Sequence, residues 1–320
     1  MRVTLAALIG AIFWNYLTWF LGLPSSSSHA LIGGLVGAGI SAGGLNAISW
    51  SSVEKTVLAV FTSPLIAFMI AFVAMYLIRL LQRVFKLHED SEFFRWAQVG
   101  SSAWVSWGHG SNDAQKTMGI VAATLYSGGF LVAEDASKLE PPTWVVLLAH
   151  AAIAIGTVWG GWTISETMGL KITRITRASG LAANLGSITS IEGATHLGIP
   201  ISTTQAVSSS IIGSGVGARR RVNFKVLREM FTAWIFTMPA AAAVGWVVFK
   251  LTVIPGVGAY VATGTAIVVL LAWAGRLMLH AETAADVEAE LPSDEELRTP
   301  SYGFQVQQPT DDEPAASGTK

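Results

Sequence analysis

Long apolar runs separated by short polar breaks set the pattern of this chain. Residues 3–22, 57–81, 144–162, 230–249 and 261–279 each approach or exceed the roughly 20 residues that a helix needs to cross a bilayer. They lack the alternating polarity of membrane-barrel strands. Pro64 inside the second run is expected to kink it. Three further stretches are apolar but studded with polar side chains. Residues 25–44 are Gly-rich with a hydroxyl head, and residues 96–130 are interrupted by GHGSNDAQK. Residues 181–199 are weakly apolar and lead into PISTTQAVSSSIIGSGVG. The pattern predicts an all-α polytopic membrane protein.

Composition sharpens that reading. The chain has 320 residues, 52% of them hydrophobic and 13% charged, against roughly 25% charged in soluble domains. A net charge of −1 gives no basic balance for nucleic acid. The absence of cysteine excludes disulfides, thiolate metal sites and thiol nucleophiles. The first run carries one Arg and then Trp14, Asn15, Tyr16 and Trp19. It reads as a spanning helix, not a cleaved leader.

Basic residues set the orientation. Arg79, Arg83 and Lys86, then Lys171, Arg174 and Arg177, then Arg219, Arg220, Arg221, Lys225 and Arg228 are expected on the cytoplasmic side. The loops near 134–140 and Pro255 are expected outside. This holds only if the segment around Asp113 crosses once and 181–217 enters and returns to the cytoplasmic side as a re-entrant hairpin. From His280 the chain turns acidic and rich in Pro, Ser and Glu. Residues 281–320 are expected to be a disordered cytoplasmic tail.

The hydroxyl-headed stretch occurs twice. GLPSSSSHALIGGLVGAGI from Gly22 aligns without gaps to GIPISTTQAVSSSIIGSGV from Gly198, at an offset of 198 − 22 = 176. Gly22/Gly198, Pro24/Pro200, Ser26/Ser202, Ala30/Ala206, Gly37/Gly213 and Gly39/Gly215 are identical, and Ser27/Thr203 and Ser28/Thr204 keep the hydroxyl. The second copy is followed by ARRRVNFKVLR, the first by SAGGLNAISWSS with no charge. Equivalent elements with opposite charge context predict an inverted-topology repeat. It divides the chain into the remainder of a first repeat over 1–90, a second repeat over 91–280, and the tail.

Asp113 stands between apolar half-segments, beside Asn112, Gln115 and Lys116. Ionisable residues at such places are costly and functional by default. The plainer alternative is an Asp–Lys pair at spacing three that neutralises itself on one helix. Gly108, Gly110 and Gly119 flank the group and are expected to let the helix break and expose anion-binding N–H groups. The Ser/Thr clusters after Pro24 and Pro200 suit helix starts, where hydroxyls cap N–H groups or share them with a ligand. Two such starts and an Asn-Asp-Gln-Lys group suit a small tetrahedral oxyanion with an accompanying cation. His29 and His109 are read as structural, hydrogen-bonding the backbone. Glu166 is expected to be solvated near a cytoplasmic boundary, whereas Glu192 is the more suspicious carboxylate. The 12 Trp residues read as interfacial anchors and packing.

GSNDAQKTMGI, GLPSSSSHALIGG and GIPISTTQAVSSSIIG together resemble the inorganic phosphate transporter (PiT) family, from about residue 3 to 279. The resemblance implies inverted repeats with re-entrant hairpins, and a secondary transporter in the plasma (inner) membrane. It implies phosphate moved in symport with Na⁺ or H⁺, or as a divalent metal–phosphate complex, and a homodimer with no enzymatic activity or bound cofactor. Carried over, Asn112 and Asp113 bind substrate and coupling cation, with Gln115 beside them. Ser26, Ser27 and Ser28 bind substrate from the first hairpin, and Ser202, Thr203 and Thr204 from the second. Lys116 and Glu192 stand as supporting groups. Two departures stand out. Gln205 occupies a position where many members have His. No acidic Asn/Asp motif precedes Gly22, and the repeat arithmetic (112 − 176 = −64) puts it upstream of Met1.

Sulfate is the rival substrate within the class. It only accepts hydrogen bonds, whereas monohydrogen phosphate also donates one, which Asp113 would accept. A truncated homologue acting as a sensor or partner subunit is a second alternative. An intramembrane protease fits poorly. There is no second membrane Asp, and adjacent Ser28 and His29 cannot face each other.

Overall fold

The computed structural model describes residues 1–89, 91–132, 140–199 and 201–278. Pro200, most of the predicted outer loop at 134–140 and the acidic tail lie outside the described residues. The helices are α1 (Arg2–Phe20), α2 (Ser27–Gly43), α3 (Trp50–Phe85), α4 (Glu92–Ser127), α5 (Thr143–Gly160), α6 (Trp162–Glu166), α7 (Arg177–His196), α8 (Thr203–Gly217), α9 (Phe224–Thr252) and α10 (Val257–Met278). Among them α1, α3 and α9 are long and apolar enough to cross a membrane, and α5 with α6 and its π-helical continuation makes a bent fourth candidate. α3 runs on through Pro64 as one helix.

The repeated stretch forms two antiparallel helical hairpins, α1–α2 and α7–α8. Each turns at a left-handed glycine, Gly22 at φ 63° and Gly198 at φ 64°, a conformation that costs glycine little. The following helix then starts on the same cap in both copies. Ser26 Oγ accepts from His29 N at 3.2 Å, and Ser202 Oγ accepts from Gln205 N at 3.2 Å. The hydroxyl heads are therefore helix starts, as their composition predicts.

The halves interlock. α2 lies along α9, and α8 lies along α3. A Cβ on Gly33 or Gly37 would overlap the carbonyl oxygen of Met238 or Ala242 in α9. A Cβ on Gly213 would overlap that of Phe68 in α3, and one on Gly217 would reach the carbonyl of Phe72 at 3.1 Å. Small residues at this spacing let backbones approach where lipid supplies no hydrophobic drive between helices. The facing helices share their own block, Phe61-Thr62-Ser63-Pro64 and Phe236-Thr237-Met238-Pro239, at an offset of 175. A third helix thus carries matching residues at nearly the same offset. α1 is held to α9 by Trp14, whose indole donates to Thr237 Oγ1 at 3.0 Å, and the α1–α2 turn by Trp234, whose indole donates to Pro24 O at 2.8 Å.

Two expectations are corrected. Gly108, Gly110 and Gly119 do not break α4, which runs unbroken from Glu92 to Ser127. At Gly108 the missing side chain makes room for Glu192 Oε1 and Ile188 of α7, so its role is close packing. Glu166 is not solvated. It is buried and ion-paired with Lys171 where α6 passes into a π turn.

Candidate site at the meeting of two helix starts

α4 and α7 run side by side in the same direction. Asn184 Nδ2 donates to Ser101 Oγ at 3.0 Å, and further along Asn112 Nδ2 donates to Thr195 Oγ1 at 2.7 Å. That register fixes the middle of α4 beside the end of the second hairpin. Asp113 is 21 residues beyond Glu92, about 32 Å along the helix at 1.5 Å per residue. An ionisable group here is far from either helix end.

Three donors meet the Asp113 carboxylate. Lys116 Nζ donates to Oδ1 at 3.0 Å, and His109 Nε2 donates to Oδ2 at 3.0 Å. Thr203 Oγ1 lies at 3.3 Å from Oδ2 and 3.5 Å from Oδ1, the longest of these contacts. His109 and Lys116 reach Asp113 because residues three and four apart share a helix face. The side chains of Asp113 and Lys116 are only 18% and 16% exposed, so the pair is shielded from water.

Lys116 then links all three elements. Its ammonium donates to Ser28 Oγ of α2 at 2.7 Å and to Ile201 O, just before α8, at 2.8 Å. The starts of the two repeat helices therefore converge on one point beside Asp113. Each start carries free N–H groups and the positive end of a helix dipole. With several hydroxyls beside them, they make an environment suited to a small oxyanion.

The structure sorts the expected site residues. Asp113, Lys116, Ser28 and Thr203 come together, whereas Asn112, one residue before Asp113, turns to Thr195 of α7. Ser26 and Ser202 are buried helix caps one turn away. Ser27 is exposed and Thr204 half-buried. Gln115 is on the exposed side of α4 and does not join the cluster. Glu192 stands one turn from Thr195 and 3.9 Å from His196, and among the described residues no hydrogen bond or ion pair joins it to Asp113. The structural reading of the histidines needs correction at His109, which binds the carboxylate and not the backbone. Its signal was present in the sequence as a His and an Asp four residues apart on one helix. Thr195 was missed, and nothing in its local sequence marks it.

Among the described residues, several buried polar atoms have no hydrogen-bond partner: Asn112 Oδ1, both ring nitrogens of His29, and both amide atoms of Gln205. His29 and Gln205 are repeat equivalents. Gln205 also lines a mostly apolar cavity of 420 Å³ among α2, α3, α8 and α9, with Pro64, Pro239 and Trp234 in its wall. Among the described residues no three His, Asp or Glu side chains gather into a metal site.

Comparison with known proteins identifies the family. The chain is 47% identical over 247 residues to a probable low-affinity inorganic phosphate transporter of Rhizobium meliloti, covering 76% of this chain and 72% of that protein. It is 39% identical over 248 residues to a similarly named protein of Bacillus subtilis, covering 77% and 73%. A Mycobacterium leprae relative is 41% identical over 262 residues, of which the chain spans 63% of the relative's length. These relatives are named as transporters, not enzymes. A solved structure titled the sodium-dependent phosphate transporter superposes with a TM-score of 0.63 at 25% identity, covering 78% of this chain and 79% of that one. The model of the phosphate transporter family matches residues 1–245. By that match and these identities, the chain is an integral membrane protein that belongs to the phosphate transporter family.

Proposed function

We propose that this chain carries inorganic phosphate across the membrane as a cation-coupled secondary transporter, with the anion held where the starts of α2 and α8 meet Asp113 and Lys116. The observation that carries the reading is the convergence of three separate elements, with Ser28, Ile201 and Asp113 around the Lys116 ammonium and Thr203 beside the carboxylate. A site made of three elements changes when any one of them moves, as alternating access requires. The equivalent hairpins, with basic clusters beside α8 but not α2, support hairpins that enter from opposite sides and return. On this reading the tail is cytoplasmic, the membrane is the plasma membrane, and two copies assemble as a dimer.

Thr203 is the donor that yields to substrate, because its contacts with Asp113 are the longest. A protonated phosphate oxygen then donates to the carboxylate in its place. Sulfate has no such proton at neutral pH and is disfavoured. Asn112 Oδ1, on the residue before Asp113, is buried and has no hydrogen-bond partner among the described residues.

Uptake of radiolabelled phosphate by proteoliposomes holding the full chain tests this. Replacing Asp113 by Asn keeps the shape and removes the charge that balances Lys116. It also removes the charged acceptor for the phosphate proton, a hydrogen bond of about 2 kcal/mol, or roughly 30-fold in uptake. Unchanged uptake by Asp113→Asn, or equal competition by sulfate, overturns the mechanism.

A further inference from the structure

The Lys116 ammonium has three N–H groups and three oxygen acceptors. These are the Asp113 carboxylate at 3.0 Å, the Ser28 hydroxyl at 2.7 Å and the Ile201 main-chain carbonyl at 2.8 Å. All three donors are used, so none is left for a substrate oxygen. Direct phosphate binding does not explain this lysine. Its surroundings are instead those of a bound hard cation: an anionic oxygen, a hydroxyl and a carbonyl, drawn from three chain segments. Lysine presents a compact point charge, and here that charge sits mostly shielded from water at 16% side-chain exposure.

We propose that the Lys116 ammonium is a tethered cation. It fills the place between α2, α4 and the start of α8 that a free Na⁺ would otherwise occupy, and it frees this chain from Na⁺ at that position. The inference rests on the phosphate-transport reading only for its transport test. Asp113 needs a counter-charge in a shielded setting, and the two hairpin starts need a common donor to hold them together. A covalently attached ammonium supplies both without paying the entropy of capturing an ion. Removing it leaves a carboxylate, a hydroxyl and a carbonyl facing one gap, which is a vacant site for a monovalent cation.

Two measurements on the purified full chain test the proposal. The first is melting temperature in detergent with 100 mM NaCl against 100 mM choline chloride. The wild type is expected to melt at the same temperature in both. Lys116→Ser and Lys116→Gln are expected to gain about 3 °C or more in NaCl, because an ion that binds only the folded state raises its stability. The second is phosphate uptake by proteoliposomes in the same two salts. The wild type should be equal within twofold, and the Lys116 variants should fall at least tenfold in choline and recover in part with Na⁺. A wild type that Na⁺ stabilises or activates overturns the proposal, whether or not the variants fold. So do folded variants whose melting temperature ignores Na⁺. Absence of uptake by the wild type in either salt refutes the transport reading alone, and the melting comparison still decides the role of Lys116.

Discussion

Replacing Gly37 or Gly213 by Ala should destabilise the protein, although alanine is the better helix former. In an open helix the change gains up to about 1 kcal/mol. Here the added methyl would overlap a main-chain carbonyl oxygen, Ala242 O for Gly37 and Phe68 O for Gly213. Neither obstacle is a side chain that can rotate away. Relief requires α2 to part from α9, or α8 from α3, and these are extensive helix contacts in the molecule. Overpacking of this kind costs about 1–3 kcal/mol. A gap of even 0.5–1 Å forfeits roughly a quarter to a half of each contact's dispersion energy. We expect a net loss of about 2 kcal/mol at each position after the propensity gain. Gly156 of α5 is the control, since a Cβ there meets nothing within 4 Å. Thermal unfolding of the three variants in detergent measures the difference. Gly37→Ala and Gly213→Ala should melt below the wild type, and Gly156→Ala at or above it. If all three melt alike, the close approach does not hold the halves together.

Other outcomes follow from single contacts. His109→Ala leaves Asp113 Oδ2 with Thr203 as its remaining side-chain donor. It should lower phosphate uptake roughly fivefold, less than Asp113→Asn, because a half-exposed charged hydrogen bond contributes about 1 kcal/mol. Trp234→Phe removes the buried donor to Pro24 O. It should cost about 1–3 kcal/mol in thermal unfolding, the penalty of leaving a buried carbonyl unpaired. Arg220→Ala breaks the pair with Glu89 at 2.7 Å, but Glu89 is 43% exposed. The stability loss should stay within about 1 kcal/mol and shrink further in high salt.

Much of the architecture was legible in the linear chain. The long apolar runs gave helices because a bilayer allows few other ways to satisfy the backbone. The 176-residue repeat was visible as matching glycines, prolines and hydroxyls, and it became a matching pair of turns and caps. Asp113 drew attention because a charge in an apolar setting is costly. The glycines around it misled. Their freedom to break a helix is real, but Gly108 is small because Glu192 and Ile188 press against it from another helix. Glu166 misled for a similar reason, since its burial and its partner Lys171 depend on a bend that periodicity does not mark.

The sequence by itself determined which segments are helices, where the two hairpins turn, and which ionisable residue lies between apolar halves. Those are local consequences of hydrophobic runs, left-handed glycines and capping hydroxyls. Only the tertiary structure decided that α2 lies on α9 and α8 on α3, that Thr195 holds Asn112, and that Lys116 reaches both hairpins at once. These contacts join residues 83 to 88 positions apart in the site and about 145 to 205 apart between the interlocked helices. Their energies depend on shape and distance in three dimensions, which no spacing along the chain encodes.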